Sequence, residues 1–154
     1  MTKDEIWTID FEASSLNLNI SYPVEVGYTN GKIEREFLIR PMSWWFDWNE
    51  ESAAIHGIEQ YELITKGTRP EEVCVQMNED LKGKKVWCDG GMYDQHWNFV
   101  LFDACGMKPD FLILHRHHPD FDEKGIKHRA LDDAKQLYNY IRQEKIELAK
   151  VFDG

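Results

Sequence analysis

The chain has 154 residues, a formal net charge of −10, and a composition that is 42% hydrophobic and 13% aromatic. That length fits one domain, residues 1–154, with a sizeable core of its own. No apolar run is long enough to span a bilayer and the first residues lack the charged-then-apolar pattern of a secretory signal, so a cytoplasmic location is expected. The acidity argues against an extended nucleic-acid track, which needs clustered Lys and Arg. Cys74, Cys88 and Cys105 are far apart and form no CxxC pair, so neither a disulfide framework nor a zinc ribbon is supported. They read as buried small hydrophobes.

In chain order, residues 6–12 predict a first strand with Trp7, Ile9 and Phe11 on one face and Ile6, Thr8, Asp10 and Glu12 on the other. Being largely apolar on both faces, it suits a central position. Residues 22–28 and 33–40, joined by Thr29-Asn30-Gly31-Lys32, predict a hairpin, because Asn-Gly is the strongest short turn signal. The aromatic run Trp44-Trp45-Phe46-Asp47-Trp48 leads into short helices through Ile55 and over 59–64. A helix over 70–81 follows, with Val73, Met77 and Leu81 in one row and Pro70 at its start. Next come a short strand over 85–88, a helix over 93–105, a buried strand over 111–114, a polar loop from His115 to Gly125, and a long helix from about Arg129 to Ala149. Strands first, then alternating helix and strand, indicate an α/β domain with a mixed five-stranded sheet flanked by helices.

Three acidic clusters punctuate these elements. Alternation puts Asp10 and Glu12 on one face at the carboxyl end of the first strand, where open α/β sheets place their ligands. In so apolar a strand, unpaired carboxylates are costly without a cation. Asp94 heads the row Trp97–Leu101 and faces the sheet, after a tight turn at Gly90-Gly91. Asp133 shares a row with Leu137 and Ile141, with Ala130 and Ala134 alongside, whereas Asp132 lines up with Lys135 and Gln136 and faces water. His128 falls on the loop entering that helix, placed to act as a general base near neutral pH. Four convergent carboxylates and a histidine make a site for two divalent cations, and oxygen donors suit hard ions. Such ions would offset about four of the negative charges where a scissile phosphate must sit.

With these residues assembled, the chain resembles the DEDDh family of 3′-to-5′ exonucleases over nearly its whole length. The motifs that carry the resemblance are Ile9-Asp10-Phe11-Glu12, the intervening Ile55-His56-Gly57-Ile58, Tyr93-Asp94, and His128-Arg129-Ala130-Leu131-Asp132-Asp133-Ala134. The resemblance implies a ribonuclease H-like three-layer fold in which Asp10, Glu12, Asp94 and Asp133 hold two Mg²⁺ or Mn²⁺ ions. It also implies that His128 takes a proton from the attacking water and that nucleoside 5′-monophosphates are released. The partners implied are single-stranded 3′ ends, with a homodimer as one possible assembly. Ser14, Leu16, His56 and Trp45 are the corresponding substrate contacts. Where many members continue the first motif with Thr-Gly-Leu, this chain has Ser14-Ser15-Leu16, and Asp89-Gly90 stands where many carry His-Asn. A different nucleotide pocket is expected accordingly.

The aromatic run over 44–48 offers base stacking, but core packing is the expectation, because large aromatics bury most of their area in domains of this size. His115, His117 and His118 make a poor zinc set and read as a mobile loop flanking the site. Two other functions are compatible with the pattern: a phosphodiesterase acting on short oligonucleotides, and a non-catalytic nucleic-acid-binding module that keeps the fold.

Overall fold

The computed structural model describes residues 5–118 and 129–153, except for the side chains of 152 and 153. Its centre is a sheet of five strands in the order β3-β2-β1-β4-β5. Strand β1 (Trp7–Ala13) pairs antiparallel with β2 (Pro23–Thr29), which pairs antiparallel with β3 (Glu34–Leu38). On its other side β1 runs parallel to β4 (Lys85–Cys88), and β4 to β5 (Leu112–His115). The mixed sheet expected from the sequence is present, and β1 is its middle strand.

The alternation along β1 sorts the two helical layers. Trp7, Ile9 and Phe11 join Val73, Met77, Leu81, Trp97, Leu101 and Phe102 in the main core, beneath α3 (Pro70–Leu81) and α4 (Met92–Ala104). The opposite face is covered by α5 (Ala130–Asp153), through Leu137 and Ile141 packed on Ile6. Thr8, on that face, donates from Oγ1 to the Ala134 carbonyl at 2.6 Å, so a buried hydroxyl is satisfied and the helix is pinned to the strand. Glycine at 27 permits this contact. A Cβ there would lie 2.3 Å from the Leu131 backbone nitrogen, so only a bare backbone lets α5 rest on β2.

A satellite core of Tyr22, Val24, Ile58 and Leu63 sits under the short helices α1 (Glu50–His56) and α2 (Gln60–Lys66). The helix over 70–81 and the strand over 85–88 have the expected bounds. Strand β5 differs from its expectation as a buried strand. It is the last in the sheet, Leu112 is 62% exposed, and none of its four residues is fully buried, because its outer edge has no neighbouring strand among the described residues.

The aromatic run also departs from the core-packing expectation, in part. Trp45 stacks on Tyr22 with centroids 5.3 Å apart, and Trp48 packs against the satellite core, but Trp44 is 58% and Phe46 82% exposed. Successive side chains of an irregular segment point in different directions, and of these aromatics only Trp45 and Trp48 reach the core. Cys74 and Cys88 are buried as expected, while Cys105 is only partly so. Among the described residues, no helix is long and apolar enough to cross a membrane. Of the expected polar loop, His115 is the last residue of β5, and His117 and His118 follow it. His118 stacks on Tyr140 at 4.7 Å and its backbone nitrogen donates to Asp89.

Candidate metal centre

Three elements distant in sequence bring carboxylates to the carboxyl end of β1. Asp10 and Glu12 project from the α5 side of the strand, as the period-two alternation requires. Asp133 arrives from the first turn of α5 and is buried, whereas its neighbour Asp132 is exposed, the division expected from the Asp133–Leu137–Ile141 row. One carboxylate oxygen from each of Asp10, Glu12 and Asp133 lies within 4.8 Å of the other two.

Asp94 adjoins this set from the start of α4, where it is 1% exposed. Its Oδ1 accepts from the Phe11 backbone nitrogen at 3.3 Å and its Oδ2 from that of Gly90 at 3.2 Å. The carboxylate is thus tied to β1 next to Asp10 and also serves the turn before α4. Gly90 makes room for it, since a Cβ at that position would lie 2.4 Å from Asp94 Oδ2.

Burial and mutual repulsion raise the carboxyl groups of the cluster. Burial, followed by the charges of Asp94, Glu12 and Asp133, holds the Asp10 carboxyl well above the ordinary carboxylate range. Burial and then Asp133, Glu25 and Asp94 push Glu12 up to about 9. Asp94 is raised to about 7 by burial, against the opposing pull of the two backbone N–H groups it accepts from. Asp10 Oδ2 is buried and has no hydrogen-bond partner among the described residues. An orphaned carboxylate oxygen amid like charges is costly, and a hard divalent ion is the partner that removes the cost. The donor set therefore fits Mg²⁺ or Mn²⁺.

Beside Glu12 a small cavity of about 110 Å³ is lined by Ala13, Ser15, Leu16, Ile55, His56 and Trp97 among others. Two of the residues expected to contact substrate, Leu16 and His56, are in its wall. His56 is buried and its Nδ1 accepts from the Ile58 backbone nitrogen, which fixes the ring. Ser14 faces inward instead. It donates to Asp47 at 2.8 Å and accepts from the Tyr22 backbone nitrogen, bracing the wall rather than opening onto the cavity. Trp45 has one ring face against Tyr22 and lines a separate cavity. His128 lies outside the described residues.

The sequence reading passed over a group that seats α5. Glu25, buried on β2 directly across from Glu12, accepts from Arg129 Nε at 3.0 Å and Nη2 at 2.5 Å, and from the Ala130 backbone nitrogen at 2.9 Å. It satisfies the first turn of α5 and neutralises a charge held in the core. The signal was present, since a lone glutamate in the apolar run Pro23-Val24-Glu25-Val26 needs a cationic partner.

Solved structures share this arrangement of elements. The zinc-bound form of the E. coli exonuclease I complex with single-stranded DNA superposes with a TM-score of 0.72 over 96% of this chain and 42% of that one, at 12% identity. The metal-free form of that complex gives 0.73 over 96% and 41%, at 13% identity. A third, exonuclease I with a dA16 oligonucleotide, gives 0.60 over 71% and 27%. The fold is ribonuclease H-like. The three-layer architecture expected from the motifs is thereby present, and the chain spans less than half the length of these exonuclease I chains. No family model and no curated protein matches the sequence.

Proposed function

We propose that residues 1–154 form a single metal-dependent exonuclease domain that removes nucleotides from single-stranded 3′ ends. The observation that carries this reading is the convergence of Asp10, Glu12 and Asp133 within 4.8 Å, with buried Asp94 behind them, in a fold shared with exonuclease I. A cytoplasmic location accords with this reading.

Asp10, Glu12, Asp94 and Asp133 would hold two divalent cations. When bound, such ions supply an activated water and offset charge developing on the leaving 3′ oxygen. His128, at the entry to α5, accepts the proton of the attacking water. Glu25 and Arg129 keep that entry in place and so hold Asp133 toward the acidic cluster. Leu16, Ile55 and Trp97 enclose the base and sugar of the terminal nucleotide and exclude bulk water, while the fixed His56 ring closes the cavity floor. The small cavity and the acidic surface favour short or single-stranded substrates over duplex, which keeps oligonucleotide phosphodiesterase activity as the second reading.

The test is degradation of 5′-labelled DNA and RNA strands with Mg²⁺, Mn²⁺ or chelator. The expected result is stepwise shortening from the 3′ end that stops with chelator, releasing 5′-monophosphates. Shortening from the 5′ end, internal cuts, or cleavage that persists in chelator would overturn it. A length ladder starting at the dinucleotide separates the two readings.

A further inference from the structure

A second and larger cavity, of about 570 Å³, is linked to the first through the Trp97–Ser21 hydrogen bond. Trp97 lines the first cavity and donates from Nε1 to Ser21 Oγ at 2.9 Å, and Ser21 lines the second. The wall between them is braced by Asp47, which accepts from both Ser14 and Ser15 and itself borders the larger cavity.

The lining of this cavity is unusual for a solvated surface. Trp44, Phe46 and Ile20 border it and are 58%, 82% and 56% exposed, so three large apolar side chains stand in water around one concavity. His96, on α4 beside Trp97, reaches the same cavity. Its Nε2 is buried and has no hydrogen-bond partner among the described residues. Exposed aromatic faces around one concavity suit a flat ligand with apolar faces.

The charge of the chain selects among such ligands. A net charge of −10 disfavours an extended cationic track for a phosphate backbone, so a strand held at the acidic cluster is expected to gain much of its remaining affinity without charge neutralisation. Stacking supplies that, since every base has a face and aromatic side chains accept it regardless of sequence. We propose that the cavity bordered by Trp44, Phe46 and His96 is a nucleobase-stacking subsite, taking a base of the same single strand upstream of its terminal nucleotide. Trp44 and Phe46 provide the faces, and His96 forms part of the cavity wall. The proposal rests on the exonuclease reading for the position of the 3′ end.

The test uses oligonucleotides of increasing length with 2-aminopurine at one position at a time, bound with Mg²⁺ to the full chain carrying His128→Ala. The fluorescence change should concentrate at one upstream position. Trp44→Ala and Phe46→Ala, both on exposed side chains, should remove it and weaken binding about tenfold for strands long enough to reach. Val75→Ala, an exposed apolar residue on α3, is the control. An abasic residue at the responsive position should weaken binding to the unaltered surface by a similar factor, a comparison that does not depend on any aromatic variant folding. Equal signals at all positions, or a signal that survives both variants, would overturn the subsite. So would self-association abolished by Trp44→Ala without any positional signal, which would assign the patch to a protein contact. Cleavage by the unaltered chain is scored separately. Cleavage without a positional signal removes the subsite alone, and a positional signal without cleavage removes the nuclease reading alone.

Discussion

Neutralising Asp133 removes an oxygen donor from the acidic cluster, whereas neutralising Asp132 changes a side chain that points into water. Asp133→Asn is therefore expected to reduce metal-dependent cleavage by at least ~100-fold, the scale of losing a positioned catalytic group. Asp132→Asn should retain most of the activity in the same end-labelled assay. Equal losses would mean that the surface charge of α5, not its register, governs the site.

The raised carboxyls carry a pH signature of their own. Glu12 stands at about 9 in the fold against an ordinary 4.5, and Asp94 at about 7 against 3.8. Between each pair of values the folded chain keeps a proton that the unfolded chain has lost, so raising the pH disfavours the folded state. Melting of the metal-free protein should accordingly occur at lower temperature at about pH 8.5 than at about pH 5.5. Glu12→Gln should flatten that slope and raise the melting temperature at the higher pH, since it removes a buried like charge. Mg²⁺ should reverse the slope in the unaltered chain, by about 2.7 kcal/mol at a hundred times Kd, and should do little for Glu12→Gln. A metal-free melting temperature that rises with pH over this range would contradict the clustering of these groups.

At the scale of elements, α5 completes the site and its seat on the sheet is correspondingly demanding. Gly27→Ala would drive a methyl group into the Leu131 backbone, which cannot move without taking Asp133 with it. The expected cost is about 1–3 kcal/mol in urea unfolding, together with loss of cleavage. Arg129→Ala leaves the buried Glu25 carboxylate without its cation and should cost at least ~2 kcal/mol, toward the low end for such pairs because Arg129 is 35% exposed. Unchanged activity in either variant would mean that Asp133 is placed by the rest of the helix.

Much of this architecture was legible because the relevant signals are local and periodic. Alternation placed Asp10 and Glu12 together on β1, and the 3.6-residue row separated Asp133 from Asp132. What stayed hidden depends on neighbours that no local pattern encodes. Strand β5 looks buried from its Phe-Leu-Ile-Leu composition, and only the strand order makes it an edge. Trp44 and Trp45 are adjacent and equivalent in composition, yet one stacks on Tyr22 and the other faces solvent, because an irregular segment has no period to read. Glu25 met Arg129 across 104 positions of sequence, a pairing that the apolar run around Glu25 called for without naming its partner.

For the whole molecule, a charge of −10 limits how a polymer can be held. Affinity of the His128→Ala variant for single strands should stop rising after a few nucleotides. It should also depend only weakly on salt, because each neutralised phosphate adds nearly one unit to the log–log slope and few are neutralised here. Titrations at several salt concentrations against strands of graded length measure both quantities. Affinity that climbs steadily with length and collapses in salt would reveal an extended basic surface and move the substrate toward long polymers.

The dispersal of the carboxylates along the chain has a consequence for when the acidic cluster can form. Strand β1 is made first and carries two of the acids, α4 adds a third, and the fourth comes only with α5. Domains fold as synthesis proceeds from the N-terminus. A growing chain that has reached β5 already has every strand of the sheet but lacks Asp133 and the Glu25–Arg129 lock. It cannot assemble the cluster, because Asp133 has yet to be made. The carboxylates of β1, α4 and α5 therefore meet only once α5 has docked on the sheet, and the buried like charges are brought together in a single late step.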